Sequence, residues 1–275
     1  MIPIFSIGPL TFYFFGLMIA IGALVGLFFL TREAKRQGID HKVLMDIAVY
    51  SLIGGIISAR IFYIFVYNPS YYFSNPMEIF AINEGGLSIH GGIIGGLAVG
   101  YWFLKRNNMP FWKVLDIAAP ALILAQGISR IGCDVFGIPI SRVLPWGVEV
   151  NGEYLHPAQA YEFLLDYLLF GYLWLRLKKP SYSGQVFLHY LIGFMLIRGI
   201  VEFTRLNPIV YGPFSVSHVM SLIGIVIGII LIVFRKKSGP AYKGNVLNKK
   251  EYFKTILFVL IMMVVSLVIY YSIRG

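Results

Sequence analysis

Arginine supplies the side chains of this sequence that are best suited to binding a phosphate. Of its 23 basic residues, five arginines lie in, or at the outer ends of, long apolar segments, on a side that holds no lysine: Arg60, Arg130, Arg142, Arg198 and Arg205. A guanidinium offers a planar fork of donors that matches phosphate oxygens. A charge inside a membrane helix costs free energy, so the presence of five such arginines is better explained by one common function than by five separate ones. The alternative is that each arginine pairs with an acid or anchors a helix end.

One histidine is a candidate for proton transfer. His90 stands in NEGGLSIHGGIIGG, about one turn into an apolar segment, and Glu84 precedes it by six residues. A neutral imidazole accepts a proton near physiological pH, so His90 could act as a general base that Glu84 orients. The glycines around it would let a helix or a lipid approach closely. The alternative is a histidine that only packs.

Two further stretches place opposite charges at helical spacing. In QGISRIGCDVFGIPIS, Asp134 follows Arg130 at i+4 and would share a face with it if the helix continues. In IRGIVEFTRLNP, Arg198, Glu202 and Arg205 form one stripe. Such a stripe is either a buried ladder of ion pairs or a site in which one arginine faces a substrate phosphate.

The stretch LHPAQAYEF adds polar residues to the set. Gln159 and Glu162 fall on one helix face, Asp166 lies one turn further along, and Tyr161 is expected at the membrane interface. Histidines are scattered, and there is no HExxH, nucleotide-binding loop or Cys/His cluster with metal spacing. We therefore expect neither a metal nor a cofactor.

The elements that must position these residues are membrane helices. The chain is 58% hydrophobic and 13% charged, whereas soluble domains have about 25% charged residues. The pattern predicts an all-α, polytopic membrane helix bundle with eight apolar segments, at residues 8–31, 43–67, 87–104, 113–133, 158–177, 184–203, 217–234 and 254–273. The first segment is expected to remain as a helix, because its basic cluster follows the apolar run. The single cysteine, Cys133, excludes an intrachain disulfide and is expected to be a packing residue.

Basic residues indicate the topology. Four alternate loops hold 17 of the 23 basic residues and all 12 lysines. The positive-inside rule places these loops in the cytoplasm and both termini outside. The net charge of +10 is thereby explained, so no nucleic-acid partner is expected. Arg274 is interpreted as a tail residue.

Four stretches taken in order resemble one known family. GGLSIHGGIIGG, RIGCDVFG, HPAQAYE and IRGIVEFTR are similar to motifs of bacterial phosphatidylglycerol–prolipoprotein diacylglyceryl transferase, and the resemblance covers roughly residues 5 to 235. It implies a multi-pass enzyme of the bacterial inner membrane whose site faces the outer leaflet. Such an enzyme moves the diacylglyceryl group of phosphatidylglycerol onto the lipobox cysteine of a prolipoprotein signal peptide. The products are a thioether and glycerol phosphate.

The resemblance also assigns roles to residues. It makes His90 the candidate base, Arg130 a headgroup ligand and Arg198 the partner of the leaving phosphate. The remaining residues that it implies form a substrate-binding scaffold: Arg60, His156, Gln159, Tyr161, Glu162, Glu202 and Arg205.

The chain departs from the family pattern in places. Cys133 and Ile138 stand where the family has an asparagine and a glutamate, so Asp134 is a hypothetical substitute for the acid in substrate binding. The short loop from 137 to 157 predicts a reduced external cap. Because the family usually has seven membrane helices, we predict a transferase core at 1–235, a basic cytoplasmic loop at 236–253 and an extra helix at 254–275.

Three alternatives to this enzyme stay open. A paralogue could use another thiol acceptor or another lipid. A catalytically silent lipid-binding protein would keep Arg130 and Arg198 but would not need His90. A transporter would distribute polar residues to both sides of the membrane midplane and often contain internal repeats, for which the sequence gives no convincing sign.

Overall fold

Long helices dominate the computed structural model, which describes residues 2–8, 10–81, 85–140, 144–238 and 248–274. These residues form nine α-helices: α1 Phe14–Arg36, α2 His41–Tyr67, α3 Pro69–Ser74, α4 Ile89–Arg106, α5 Phe111–Ile131, α6 Ala158–Lys178, α7 Gln185–Glu202, α8 Val216–Ser238 and α9 Lys249–Arg274. A 3-10 helix spans Pro76–Phe80. Three antiparallel hairpins complete the described structure: β1 Pro3–Ile7 with β2 Leu10–Tyr13, β3 Val148–Val150 with β4 Glu153–Leu155, and β5 Ile209–Tyr211 with β6 Phe214–Ser215.

The membrane bundle predicted from the sequence is confirmed. Within the described ranges, six helices are long and apolar enough to cross a membrane, namely α1, α2, α5, α7, α8 and α9. The other two long helices, α4 and α6, coincide with the two remaining predicted segments. Large apolar side chains such as Leu24, Phe65 and Leu260 are exposed on these helices, as expected of surfaces that face lipid.

The first predicted helix begins too early in the sequence. The strands Pro3–Ile7 and Leu10–Tyr13 form the β1–β2 hairpin, and α1 starts at Phe14. Phe5 and Phe12 stack across the hairpin with ring centroids 4.6 Å apart. Gly8 has a φ of +59° beside the turn, a conformation that glycine adopts without strain. Hydrophobicity alone does not separate a short apolar hairpin from the start of a helix.

The chain divides into two compact units, Met1–Phe29 with Leu115–Gly275 and Leu30–Val114. In the first unit, α6 lies at the centre, and Phe163, Tyr167 and Leu173 on this helix are fully buried. Protein therefore surrounds much of α6, which explains why it has polar residues that a lipid-facing helix would not tolerate.

Asp116 of α5 fixes the beginning of α7 in the same unit. Its carboxylate accepts hydrogen bonds from the backbone N–H groups of Gly184, at 2.6 Å, and Phe187, at 3.0 Å. The first N–H groups of a helix have no partner within the helix, so an acid at this place satisfies them and matches the helix dipole.

In the second unit, α2 and α4 pack closely through glycine. A Cβ added at Gly91 would overlap Phe62, and one added at Gly95 would overlap Ser58. At Gly92 the nearest atom to an added Cβ would be 3.5 Å away. The glycines around His90 therefore include two that allow a neighbouring helix to approach.

The predicted boundaries of the C-terminal region stay a prediction. Half of the basic loop assigned to 236–253, residues 239–247, lies outside the described residues, between the end of α8 at Ser238 and the start of α9 at Lys249.

Candidate functional site

Three arginines surround one buried carboxylate where α5 ends, α6 begins and α7 ends. Nη2 of Arg130 is 2.8 Å from Oε1 of Glu162. On the other carboxylate oxygen, Oε2, Nη1 of Arg205 lies at 3.8 Å and Nη1 of Arg198 at 4.0 Å. The side chain of Glu162 is 1% exposed. A single acid thus holds three guanidiniums together.

Glu202 supports the same arginines from α7. Its Oε2 is 3.0 Å from Nη2 of Arg198 and 3.8 Å from Nε of Arg205. Its Oε1 accepts hydrogen bonds from the hydroxyl of Ser215, at 2.6 Å, and from the amide of Asn207, at 2.7 Å. The stripe predicted from the spacing is therefore present, although α7 ends at Glu202 and Arg205 lies in the turn that follows.

This arginine cluster, formed by Arg130, Arg198, Arg205, Glu162 and Glu202, has one positive charge in excess. The side chains of Arg130 and Arg198 are 29% and 21% exposed, so each remains partly accessible. Burial and then the neighbouring charge of Arg198 lower the pKa of the Arg205 guanidinium from its ordinary value. Because the cluster has an excess positive charge and Arg130 and Arg198 are partly exposed, it can bind a dianionic or monoanionic phosphate at these two arginines.

Asp166 lies one helical turn beyond Glu162 and is fully buried. Among the described residues, neither of its carboxylate oxygens receives a hydrogen bond. It extends the line of polar side chains on this face of α6, as the spacing predicted.

The chain turns sharply after Arg130, so the helix does not continue and Asp134 does not share a helix face with Arg130. Helix α5 ends at Ile131, and a Cβ on Gly132 would lie 2.8 Å from the backbone of Phe15. Asp134 instead pairs with Arg274, with 3.0 Å between Oδ1 and Nη2.

Arg274 is also not the tail residue that the sequence suggested. It is the last residue of α9, and its side chain is only 3% exposed.

The residues at the start of α6 form a framework beside the arginine cluster. Nδ1 of His156 lies 3.2 Å from the hydroxyl of Tyr161, which also accepts a hydrogen bond from Nε1 of Trp146 at 3.0 Å. The amide of Gln159 is buried and donates to the carbonyl oxygen of Cys133 at 3.1 Å. Direct contact of these residues with a substrate stays a prediction.

Arg60 and His90 belong to the second unit. Arg60 is buried and donates hydrogen bonds to four backbone carbonyls of the segment that precedes α4, those of Glu78, Ile79, Gly85 and Gly86. Arg60 therefore fastens this segment, and its predicted contact with substrate stays untested. His90 is the second residue of α4 and is exposed. Glu84, its predicted partner, and Arg142 both lie outside the described residues.

Other contributors were missed by the sequence interpretation. Ser215 and Asn207 bond to Glu202, and Trp146 bonds to Tyr161, but these residue types are too common in loops to stand out. Arg274 did carry a signal, since it is one of the six basic residues outside the lysine-containing loops. In the part of the chain that the structure describes, no group of three His, Cys, Asp or Glu residues could hold a metal.

Comparisons with known proteins give a consistent result. A family model described as prolipoprotein diacylglyceryl transferase matches residues 3–234. A protein of Clostridioides difficile (strain 630) is 37% identical over 244 residues, which cover 88% of this chain and 97% of the relative. One from Bacillus cereus (strain 03BB102) is 36% identical over 252 residues, covering 86% and 93%. Both relatives are named phosphatidylglycerol–prolipoprotein diacylglyceryl transferase.

Proposed function

This chain belongs to the prolipoprotein diacylglyceryl transferase family, and we propose that its arginine cluster binds the phosphate of the lipid substrate. The protein is a multi-pass membrane transferase that moves the diacylglyceryl group of phosphatidylglycerol onto the cysteine of a prolipoprotein, the first step of lipoprotein maturation. The acceptor is the lipobox cysteine of the signal peptide. The observation that carries the proposal is the excess positive charge of a cluster in which the side chains of Arg130 and Arg198 are partly exposed.

The chemistry needs such a cluster. The cysteine sulfur of the prolipoprotein attacks the glycerol carbon that bears the phosphate, so a C–S bond forms and a C–O bond breaks. The bonding electrons leave with glycerol phosphate, and the thiol proton passes to a base. Fixed guanidiniums stabilise the negative charge that grows on the leaving oxygen. The nucleophile comes from the substrate, which agrees with the burial of Cys133.

His90 is the proton acceptor in this proposal. Its support is the match of the HGG motif to the family and the exposure of its imidazole at the start of α4. Loss of the thiol proton makes the thiolate, which is the reactive form of a cysteine.

The location of the site is part of the same proposal. The cluster lies where α5 ends and α6 begins, whereas the basic residues Lys113 and Lys178 occupy the opposite ends of these helices. Because basic ends face the cytoplasm, the cluster faces the outer leaflet of the bacterial inner membrane.

The test uses the purified protein in detergent with phosphatidylglycerol and a lipobox peptide. The peptide mass and the released glycerol phosphate are followed for the parent, His90→Ala, Arg130→Ala and Arg198→Ala. Arg32→Ala is the matched control, because Arg32 is an exposed arginine of α1 outside the cluster. We expect the parent and the control to transfer the lipid and the arginine variants to lose at least about 100-fold in kcat/KM.

Two outcomes would overturn parts of this proposal. A parent protein that binds phosphatidylglycerol but modifies no peptide would favour a paralogue with another acceptor, or a silent lipid-binding protein. Full activity in His90→Ala would remove the base assignment and leave the phosphate assignment intact.

A further inference from the structure

Helix α9 lies beyond the part of the chain that defines the family. The family model ends at residue 234, and the Clostridioides difficile relative is matched over 97% of its length while 88% of this chain is used. Nevertheless α9 is firmly docked on α6. The hydroxyl of Tyr167 lies 2.9 Å from that of Ser266, and Lys178 forms an ion pair with Glu251 near the other end of the helix.

The C-terminal end of α9 reaches the turn that follows Arg130. Arg274 donates from Nη1 to the carbonyl oxygen of Ile131 at 2.8 Å, and from Nη2 to that of Cys133 at 2.9 Å and to Oδ1 of Asp134 at 3.0 Å. The last carbonyls of a helix lack partners within the helix and carry its negative pole, so a buried guanidinium is well suited to them. One side chain of α9 thus donates to three acceptors of the turn.

A second contact of α9 converges on the same carbonyl oxygen. The hydroxyl of Tyr270 donates to Oε1 of Gln159 at 3.1 Å, and the amide nitrogen of Gln159 donates to the carbonyl of Cys133. The Arg274 guanidinium also stacks on the Tyr270 ring, 4.3 Å from its centroid. Two residues of α9 therefore hold the Cys133 carbonyl, one directly and one through Gln159.

Arg130 is attached to this turn. Its Nη1 lies 3.6 Å from Sγ of Cys133, while its Nη2 pairs with Glu162. The carbonyl oxygen of Arg130 accepts a hydrogen bond from the backbone N–H of Cys133 at 3.2 Å. A shift of the turn would therefore displace the partly exposed guanidinium that faces the phosphate.

A neighbouring residue of α9 reaches a second part of the site. The hydroxyl of Tyr271 donates to the carbonyl oxygen of Trp146 at 2.7 Å, and the indole of Trp146 donates to Tyr161. The end of α9 thus contacts both the turn after α5 and the loop before β3.

We propose that α9 is part of the working site, with Arg274 and Tyr270 as positioning residues that set the turn after α5 and thereby the Arg130 guanidinium. This inference rests on the proposed function, because it assumes that Arg130 binds the phosphate of phosphatidylglycerol. The competing explanation is that α9 only stabilises the bundle.

The test measures KM for phosphatidylglycerol, kcat and thermal unfolding of the full chain for Arg274→Ala, Arg274→Lys and Tyr270→Phe. Lys254→Ala is the matched control, since Lys254 is an exposed cation at the other end of α9. We expect KM to rise about tenfold in Arg274→Ala and about threefold in Tyr270→Phe, with kcat changed less than about threefold. Arg274→Lys should recover part of the loss, because an ammonium can still donate to the turn.

The outcomes separate the two explanations. If the variants lower the folded fraction while the folded protein keeps the parent KM, α9 is only a structural support and the inference is wrong. If Arg274→Ala does not fold, Tyr270→Phe, which loses a single hydroxyl, decides by the same criterion. A parent without transferase activity would instead refute the proposed function, so the two failures are distinguishable.

Discussion

Glu162 and Arg130 form a close ion pair in which the acid is almost completely enclosed and the arginine is partly open, at 2.8 Å between Oε1 and Nη2. The acid also lies within 4.0 Å of Arg198 and Arg205. The difference in exposure gives the two side chains different roles. Glu162 holds the cluster together, and Arg130 keeps donors that we propose bind the substrate phosphate.

Replacing Glu162 by glutamine should therefore damage the fold as well as activity. Glu162→Gln leaves three guanidiniums with one carboxylate, and removing one member of a buried charge pair costs about 3–5 kcal/mol. We expect a lower unfolding temperature in detergent and loss of transfer. Glu153→Gln, in the exposed strand β4, is the control and should behave as the parent. An unchanged unfolding temperature for Glu162→Gln would show that Glu202 alone suffices to hold the arginines.

Arg60 should act on activity through the segment that leads to His90. The change Arg60→Lys keeps the charge but cannot reproduce a planar fork that reaches the four carbonyls from Glu78 to Gly86. We expect at least about tenfold lower kcat/KM and faster proteolysis between residues 78 and 89, compared with the exposed control Arg32→Lys. Unchanged cleavage together with low activity would mean that Arg60 contacts the substrate directly.

Asp116 should contribute to stability without affecting chemistry. Asp116→Ala removes the acceptor of two N–H groups at the start of α7, and leaving such buried groups unpaired costs about 1–3 kcal/mol. Thermal unfolding should report this loss, while the folded fraction should keep the kcat of the parent. The exposed Asp46→Ala is the control. A change in kcat per folded molecule would link the start of α7 to the arginine cluster at its other end.

Adjacent glycines of α4 offer a matched pair for the contact with α2. Gly91→Ala places a Cβ against Phe62, whereas Gly92→Ala meets its nearest atom at 3.5 Å, an ordinary contact. Overpacking costs about 1–3 kcal/mol, so Gly91→Ala should unfold at a lower temperature and Gly92→Ala should not. Equal unfolding temperatures would indicate that α2 and α4 can separate without penalty.

Helices and nearby charge pairs could be predicted from the sequence because both depend on local spacing. Eight apolar runs gave eight long helices, and the i+4 relation of Arg198 and Glu202 placed them together. The packing of Gly132 against Phe15 just beyond the end of α5 could not be predicted, since the two residues are far apart along the chain. The partner of Asp134 could not be predicted either, because Arg274 is 140 residues away along the chain.

The central position of α6 has a consequence for biogenesis. The acids Glu162 and Asp166 make α6 costly to insert into the bilayer alone. An acidic side chain at the bilayer centre costs roughly 2.5–3.5 kcal/mol. Arg130 is synthesised before Glu162, and Arg198 and Arg205 after it, so Glu162 acquires all its arginine partners only when α7 and the turn after it have emerged from the ribosome. We therefore expect stable integration of α6 to depend on the presence of both α5 and α7.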